Sequence, residues 1–137
     1  MLMGFKFTGC DDCQTIVIEL KNNALEADVS KQGIYQRSSC VNGRNSWVSP
    51  SNAVWYVPHY QEWYIGYLEN IGTYLNGMQS FGQQGDLNCP YNVSIGNWQY
   101  FSGGAWIMPE DVNDISIGCF QGYLLLAVIL LNCPQNV

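Results

Sequence analysis

Gly33-Ile34-Tyr35-Gln36-Arg37-Ser38-Ser39-Cys40-Val41-Asn42-Gly43-Arg44-Asn45-Ser46-Trp47-Val48-Ser49 is the stretch on which the fold turns. Two strand-like runs meet at Asn42-Gly43, and Asn-Gly is the dipeptide that fits the two positive φ angles of a two-residue hairpin turn. A β-hairpin follows. Downstream, Ser49-Pro50-Ser51-Asn52 supplies the next turn into Ala53-Val54-Trp55-Tyr56-Val57, and Pro58-His59-Tyr60-Gln61 leads into a run from Glu62 through Trp63, Tyr64, Ile65, Gly66 and Tyr67 to Leu68. Upstream, residues 14–20 alternate Ile16, Ile18 and Leu20 against Thr15, Val17 and Glu19, the period of two that marks a strand with one inner face. Strands about 8 to 12 residues apart read as an antiparallel meander.

The remaining segments carry weaker signals. Residues 21–31 contain Ala24, Leu25, Glu26 and Ala27 without a sustained helical period, which predicts about one helical turn or a loop before Gly33. Residues 69–90 are rich in Gly, Asn and Gln, with scattered Tyr74, Met78 and Phe81, and read as a long loop folded over one face of the sheet. Residues 94–101 put Trp98 and Tyr100 on one face, Gly103-Gly104 makes a turn, and Ala105 to Met108 with Ile115 to Cys119 give the last two strands of the meander. Four tryptophans, Trp55, Trp63, Trp98 and Trp106, are expected to share the inner face. The expected fold class is a small all-β meander or sandwich.

Six cysteines in 137 residues argue for an oxidising compartment and a disulfide staple, so the chain is expected at the cell surface or outside it. The start of the chain shows no secretory signal pattern, so the signal is expected to have been removed or the start to be incomplete, and a cytosolic protein with reduced thiols is the weaker alternative. Cys10 or Cys13 is expected to join Cys119, tying the first strand to the last. Cys40 is expected to join Cys89, and Cys133 takes the remaining partner. Cys10 and Cys13 stand three apart, so on extended chain they point to opposite faces and need different partners.

Composition narrows the partners. Only 12% of residues are charged and the net charge is -6, which disfavours phosphate backbones and anionic lipid surfaces. Nucleic acid is therefore excluded. The apolar residues 123–131 are too few to span a bilayer as a helix, which needs about 20. Zinc would need a second cysteine pair beside Cys10 and Cys13, and none exists, so no metal or other cofactor is expected. His59 sits in a turn without a nucleophile in any recognisable motif, and the acid groupings at Glu62 and Glu69, at Asp11 and Asp12 and at residues 110–114 lack glycosidase or calcium-site specificity. No catalytic residue is assigned and the chain is not expected to be an enzyme.

Gly33-x-Tyr35, Asn42-Gly43-Arg44, Trp55-Tyr56, Trp63-Tyr64-Ile65-Gly66, Cys89-Pro90, Trp98-Gln99-Tyr100, Trp106 and the closing Ile115-Ser116-Ile117-Gly118-Cys119 together resemble a small cysteine-framed β module of secreted and cell-surface multidomain proteins of protists, algae and marine invertebrates. The resemblance spans residues 10–119 and implies an extracellular building block. The chain departs from it after Cys119. Two units are accordingly expected, a disulfide-bonded β domain over residues 1–120 and an apolar strand extension over residues 121–137.

Two function classes fit this pattern. In the first, the chain is a structural or adhesion module that assembles with copies of itself into a fibre or surface matrix. Leu124, Leu126, Val128 and Leu130 on the extension would add as a strand to a neighbouring sheet edge. In the second, it is a carbohydrate-binding module, with Tyr60, Tyr64, Tyr74 and Tyr91 as candidate contacts to sugar rings. Asn92-Val93-Ser94 is an acceptor sequence for an N-glycan at Asn92.

Overall fold

The computed structural model describes residues 13–81, 89–93, 97–120 and 133. Strands β1 (Thr15–Leu20), β2 (Gly33–Val41), β3 (Arg44–Val48), β4 (Asn52–Val57), β5 (Glu62–Tyr67), β6 (Met78–Ser80), β7 (Trp98–Ser102), β8 (Ala105–Ile107) and β9 (Ile115–Cys119) form one antiparallel sheet in the order β8-β7-β6-β5-β4-β3-β2-β1-β9. The fold is all-β and disulfide-bonded. Asn42 and Gly43 turn between β2 and β3 with φ of 52° and 81°, as a two-residue hairpin of this hand requires.

The sheet curls, so that helix α1 (Asn22–Asp28) packs against both β1 and β7. Its inner face buries Ile16, Ile18, Leu20, Tyr35, Trp47, Trp63, Met78, Trp98 and Tyr100 in one cluster. The outer face carries a smaller cluster of Ala53, Trp55, Val57 and Tyr64, and residues 68–76 cross over it. This cover explains why every residue of β4 is buried although the sheet is a single layer. The expected loop over one face is therefore present from residue 68 to 77.

Several expectations are corrected. Residues 21–31 form seven residues of α-helix and a 3-10 turn rather than about one turn or a loop. Tertiary packing supplies what the sequence period lacks, since Ala24 is buried in the core and Leu25 packs against it. Residues 69–90 are not all loop, because β6 pairs with β5 and β7; three residues are too few to show an alternation. β9 does not continue the meander beside β8 but crosses to pair with β1, with Ile16 opposite Cys119.

The four expected core tryptophans do not share a face. Trp55 is paired with Tyr64, and Tyr56 with Trp63, so Trp55 and Trp63 project to opposite sides of the pleat. Trp106 is 38% exposed on β8, next to Phe101 on β7 with ring centres 5.3 Å apart. Trp47 takes the vacated inner position, where it donates from Nε1 to the Cys13 carbonyl and meets the Trp63 ring at 6.1 Å.

Cys13 is bonded to Cys119, which ties β1 to β9 as expected. Cys40 is bonded to Cys133 and not to Cys89. The reason is local: Cys40 pairs with Asn45 across the β2–β3 ladder, and the buried Asn45 Oδ1 accepts from the Cys133 N–H at 3.1 Å, docking residue 133 beside Cys40. Cys89 is also half of a disulfide. Cys10 lies outside the described residues, as do Leu124, Leu126, Val128 and Leu130 and the rest of the expected extension apart from Cys133.

Candidate functional site

The β4–β5 turn and the loop after β5 bring three aromatic side chains together on the surface. Tyr60 and Gln61 close the turn with N–H bonds to the carbonyls of Val57 and Pro58, at 3.3 and 3.2 Å. Gln61 adopts φ of 53°, which sharpens the reversal and leaves His59 and Tyr60 at its tip. Tyr74 arrives from the covering loop. That loop is fixed by its own turn, where Thr73 Oγ1 donates to the Asn70 carbonyl and accepts from Leu75 N–H. Two longer-range bonds hold it to the sheet. Trp55 Nε1 donates to the Thr73 carbonyl at 3.0 Å, and Asn42 Nδ2 donates to the carbonyls of Tyr56 at 2.9 Å and Gly72 at 3.4 Å. The hairpin turn thus also positions the loop that carries Tyr74.

The ring centres of His59 and Tyr60 lie 4.7 Å apart, those of Tyr60 and Tyr74 5.5 Å, and those of His59 and Tyr74 6.3 Å. All three pairs are tilted by 63° to 80°, the edge-to-face preference of aromatic groups. Tyr60 and Tyr74 remain 43% and 61% exposed. Beneath them Tyr64 is 4% exposed and packs against the Trp55 ring at 6.2 Å. Burial pushes the Tyr64 phenol up to about 12, with smaller contributions from the charges of Glu62, Tyr60 and Tyr74. Burial also holds the Glu62 carboxyl above its ordinary value. The surface patch therefore has two exposed phenols and an imidazole at the front, and a second row of a phenol and a carboxyl behind.

Of the four tyrosines named as sugar contacts, the structure brings Tyr60, Tyr64 and Tyr74 together and leaves Tyr91 elsewhere, packed on the inner core. Tyr64 is a support for the patch rather than part of its face. His59 belongs to the cluster and was missed, because the approach of residues 59 and 74 depends on a loop path that no local period encodes. Asn92 is exposed at the end of the 3-10 turn Pro90–Asn92, and Ser94 of its acceptor sequence lies outside the described residues. The acids near residue 111 have structural partners: Asp111 caps the Asn113 N–H, and the buried Asp114 accepts from Asn22 Nδ2. Among the described residues, no cluster of three or more His, Cys, Asp and Glu side chains is placed to hold a metal ion, and no helix is long and apolar enough to cross a membrane.

Compared with known proteins, the chain matches no protein-family model, no curated protein and no solved structure.

Proposed function

We propose that the chain is an extracellular adhesion module that meets its partner through the face of His59, Tyr60 and Tyr74, with carbohydrate as the ligand class. The observation that carries this reading is the pair of exposed phenol rings held in a fixed arrangement by the Trp55 and Asn42 hydrogen bonds. Rings positioned before binding lose little freedom on contact, and each offers an apolar face to a sugar ring and a hydroxyl to its oxygens. The two phenol rings are inclined at 72° rather than coplanar, which suits a single sugar residue seated in a corner better than a chain laid along a flat strip. A sparsely charged surface favours a neutral polyhydroxyl partner. The reading involves no catalysis and no cofactor.

The bond from Cys133 to Cys40 bears on assembly through Leu124, Leu126, Val128 and Leu130. Cys119 and Cys133 are both tied to the same sheet, so any strand that residues 121–132 add to a neighbour would stay anchored to its own domain at both ends. Glycan-array binding of the intact chain against Tyr60→Ala and Tyr74→Ala variants tests the reading. Binding that each variant reduces at least tenfold supports it. Binding to no glycan, or binding unchanged in both variants, defeats it, and a disulfide-linked polymer on non-reducing gels would favour assembly.

A further inference from the structure

We propose that Tyr60 and Tyr74 form an intramolecular cross-link, a dityrosine made by one-electron oxidation in the extracellular setting. This goes beyond the carbohydrate reading and does not depend on it. Two conditions govern such coupling: the phenols must reach a surface oxidant, and the two rings must meet before either radical is quenched. Both hold here. The rings are 43% and 61% exposed, and their centres already lie 5.5 Å apart across two separate loops. Bond formation needs only a further approach of the ring carbons ortho to the hydroxyls, which rotation about the χ angles of two exposed side chains provides.

Exposure alone does not single out this pair. Tyr67 is 54% exposed, more than Tyr60, yet its ring lies under the Lys31 ammonium at 4.8 Å, where a cation opposes the loss of an electron. His59 touches both rings of the proposed pair, with centres 4.7 and 6.3 Å away. In the proposal a rotation of these side chains brings an imidazole nitrogen to a phenol oxygen, and the imidazole accepts the phenolic proton as the electron leaves.

The chemistry balances with hydrogen peroxide, delivered through a haem peroxidase, as the oxidant. Each phenol gives up one electron and one proton. The two radicals join through a carbon–carbon bond between their ortho positions, and the hydrogen on each of those carbons returns to the phenol oxygen as the rings regain aromaticity. Peroxide takes the two electrons and two protons and leaves as two waters. The protein loses two hydrogens and gains one covalent tie between the β4–β5 turn and the covering loop.

The test treats the intact, disulfide-bonded chain at several dilutions with a plant haem peroxidase and limiting hydrogen peroxide. The disulfides are then reduced and alkylated, and a glutamyl endopeptidase separates the two tyrosines, because Glu62 and Glu69 lie between them. Expected are a monomer lighter by two hydrogens, dityrosine fluorescence, and a linked peptide pair containing residues 60 and 74, in a yield independent of protein concentration. Tyr60→Phe and Tyr74→Phe should each abolish the linked pair while Tyr67→Phe leaves it intact. Phenylalanine keeps the rings packed, so the folded state is retained, and an unchanged circular dichroism spectrum verifies this. His59→Ala should slow the coupling several-fold. No linked pair in the wild type, a yield that rises with concentration, or a cross-link that survives Tyr60→Phe would overturn the proposal.

Discussion

Glu62 closes the second row of the aromatic patch, and its environment sets a pH dependence. Burial raises its carboxyl above 4.5, so the folded state prefers the protonated form. The stability gained this way is complete below pH 4.5 and is lost as pH rises through the elevated value; at neutral pH the ionised carboxylate opposes folding. Glu62→Gln should therefore melt at a higher temperature than the wild type at pH 7, with the advantage vanishing below pH 4.5. Equal pH profiles for the two proteins would count against desolvation of the half-buried Glu62 carboxyl. Tyr64 acts in the same sense at the alkaline end, weakening the fold progressively between pH 10.0 and about 12. Gly77 poses a steric constraint instead. A Cβ there would stand 2.7 Å from Lys31 Cε and 2.9 Å from Nζ. Lys31 is itself buried and paired with Asp28 at 2.9 Å, so it cannot swing away without leaving that carboxylate behind. Gly77→Ala should cost about 1–3 kcal/mol in urea unfolding, in the range of overpacked interiors. None of this was legible in the sequence, where Lys31 read only as the end of a weak helical stretch and Gly77 as one more loop glycine.

At the scale of elements, local chemistry was readable wherever a turn residue fixed a backbone angle. Asn42-Gly43 announced the central hairpin because few other dipeptides tolerate its two positive φ angles, and the structure places both there. Gly43 has nothing within 4 Å of its notional Cβ, so the cost of Gly43→Ala is conformational alone. A loss of about 1–2 kcal/mol in thermal or urea unfolding is expected from the left-handed backbone. A larger loss would mean that straining the turn also breaks the Asn42 bond to the Gly72 carbonyl that holds the Tyr74 loop. What stayed hidden were facts about partners. β6 is three residues long and owes its place to the strands on either side. The face assignment of Trp55 failed because the register that pairs it with Tyr64 is fixed only once β4 meets β5. The aromatic patch was half legible: Tyr60 and Tyr74 stood out as tyrosines beyond the needs of the core, while their meeting with His59 depends on the covering loop.

For the whole molecule, the disulfides do most to restrict the unfolded chain. The bridges from Cys13 to Cys119 and from Cys40 to Cys133 close loops of 106 and 93 residues. By the chain-entropy argument each contributes about 4–5 kcal/mol. Replacing both cysteines of either bridge by serine should lower unfolding stability by that order. Loss of both bridges removes about as much as a typical domain's net stability of ~5–15 kcal/mol, and the reduced chain should be unfolded by circular dichroism. The first bridge was readable only as far as a bond from Cys119 to Cys10 or Cys13, because Cys119 ends the strand expected last and the cysteine pair precedes the strand expected first; the choice of Cys13 was not. The second was not, since it depends on the Asn45 side chain that receives residue 133. The pattern of bridges has a mechanical consequence. Pulled between residues 13 and 133, the chain cannot simply unravel, because force passes from Cys13 through the sulfur bridge to Cys119 and then along only fourteen residues to Cys133. At ~3.3–3.6 Å per residue that path extends to about 50 Å, against roughly 400 Å for the reduced chain, whatever happens to the strands between. A domain tethering one surface to another would thus go taut early under load, keeping the tyrosine face from being drawn out with the strands that carry it.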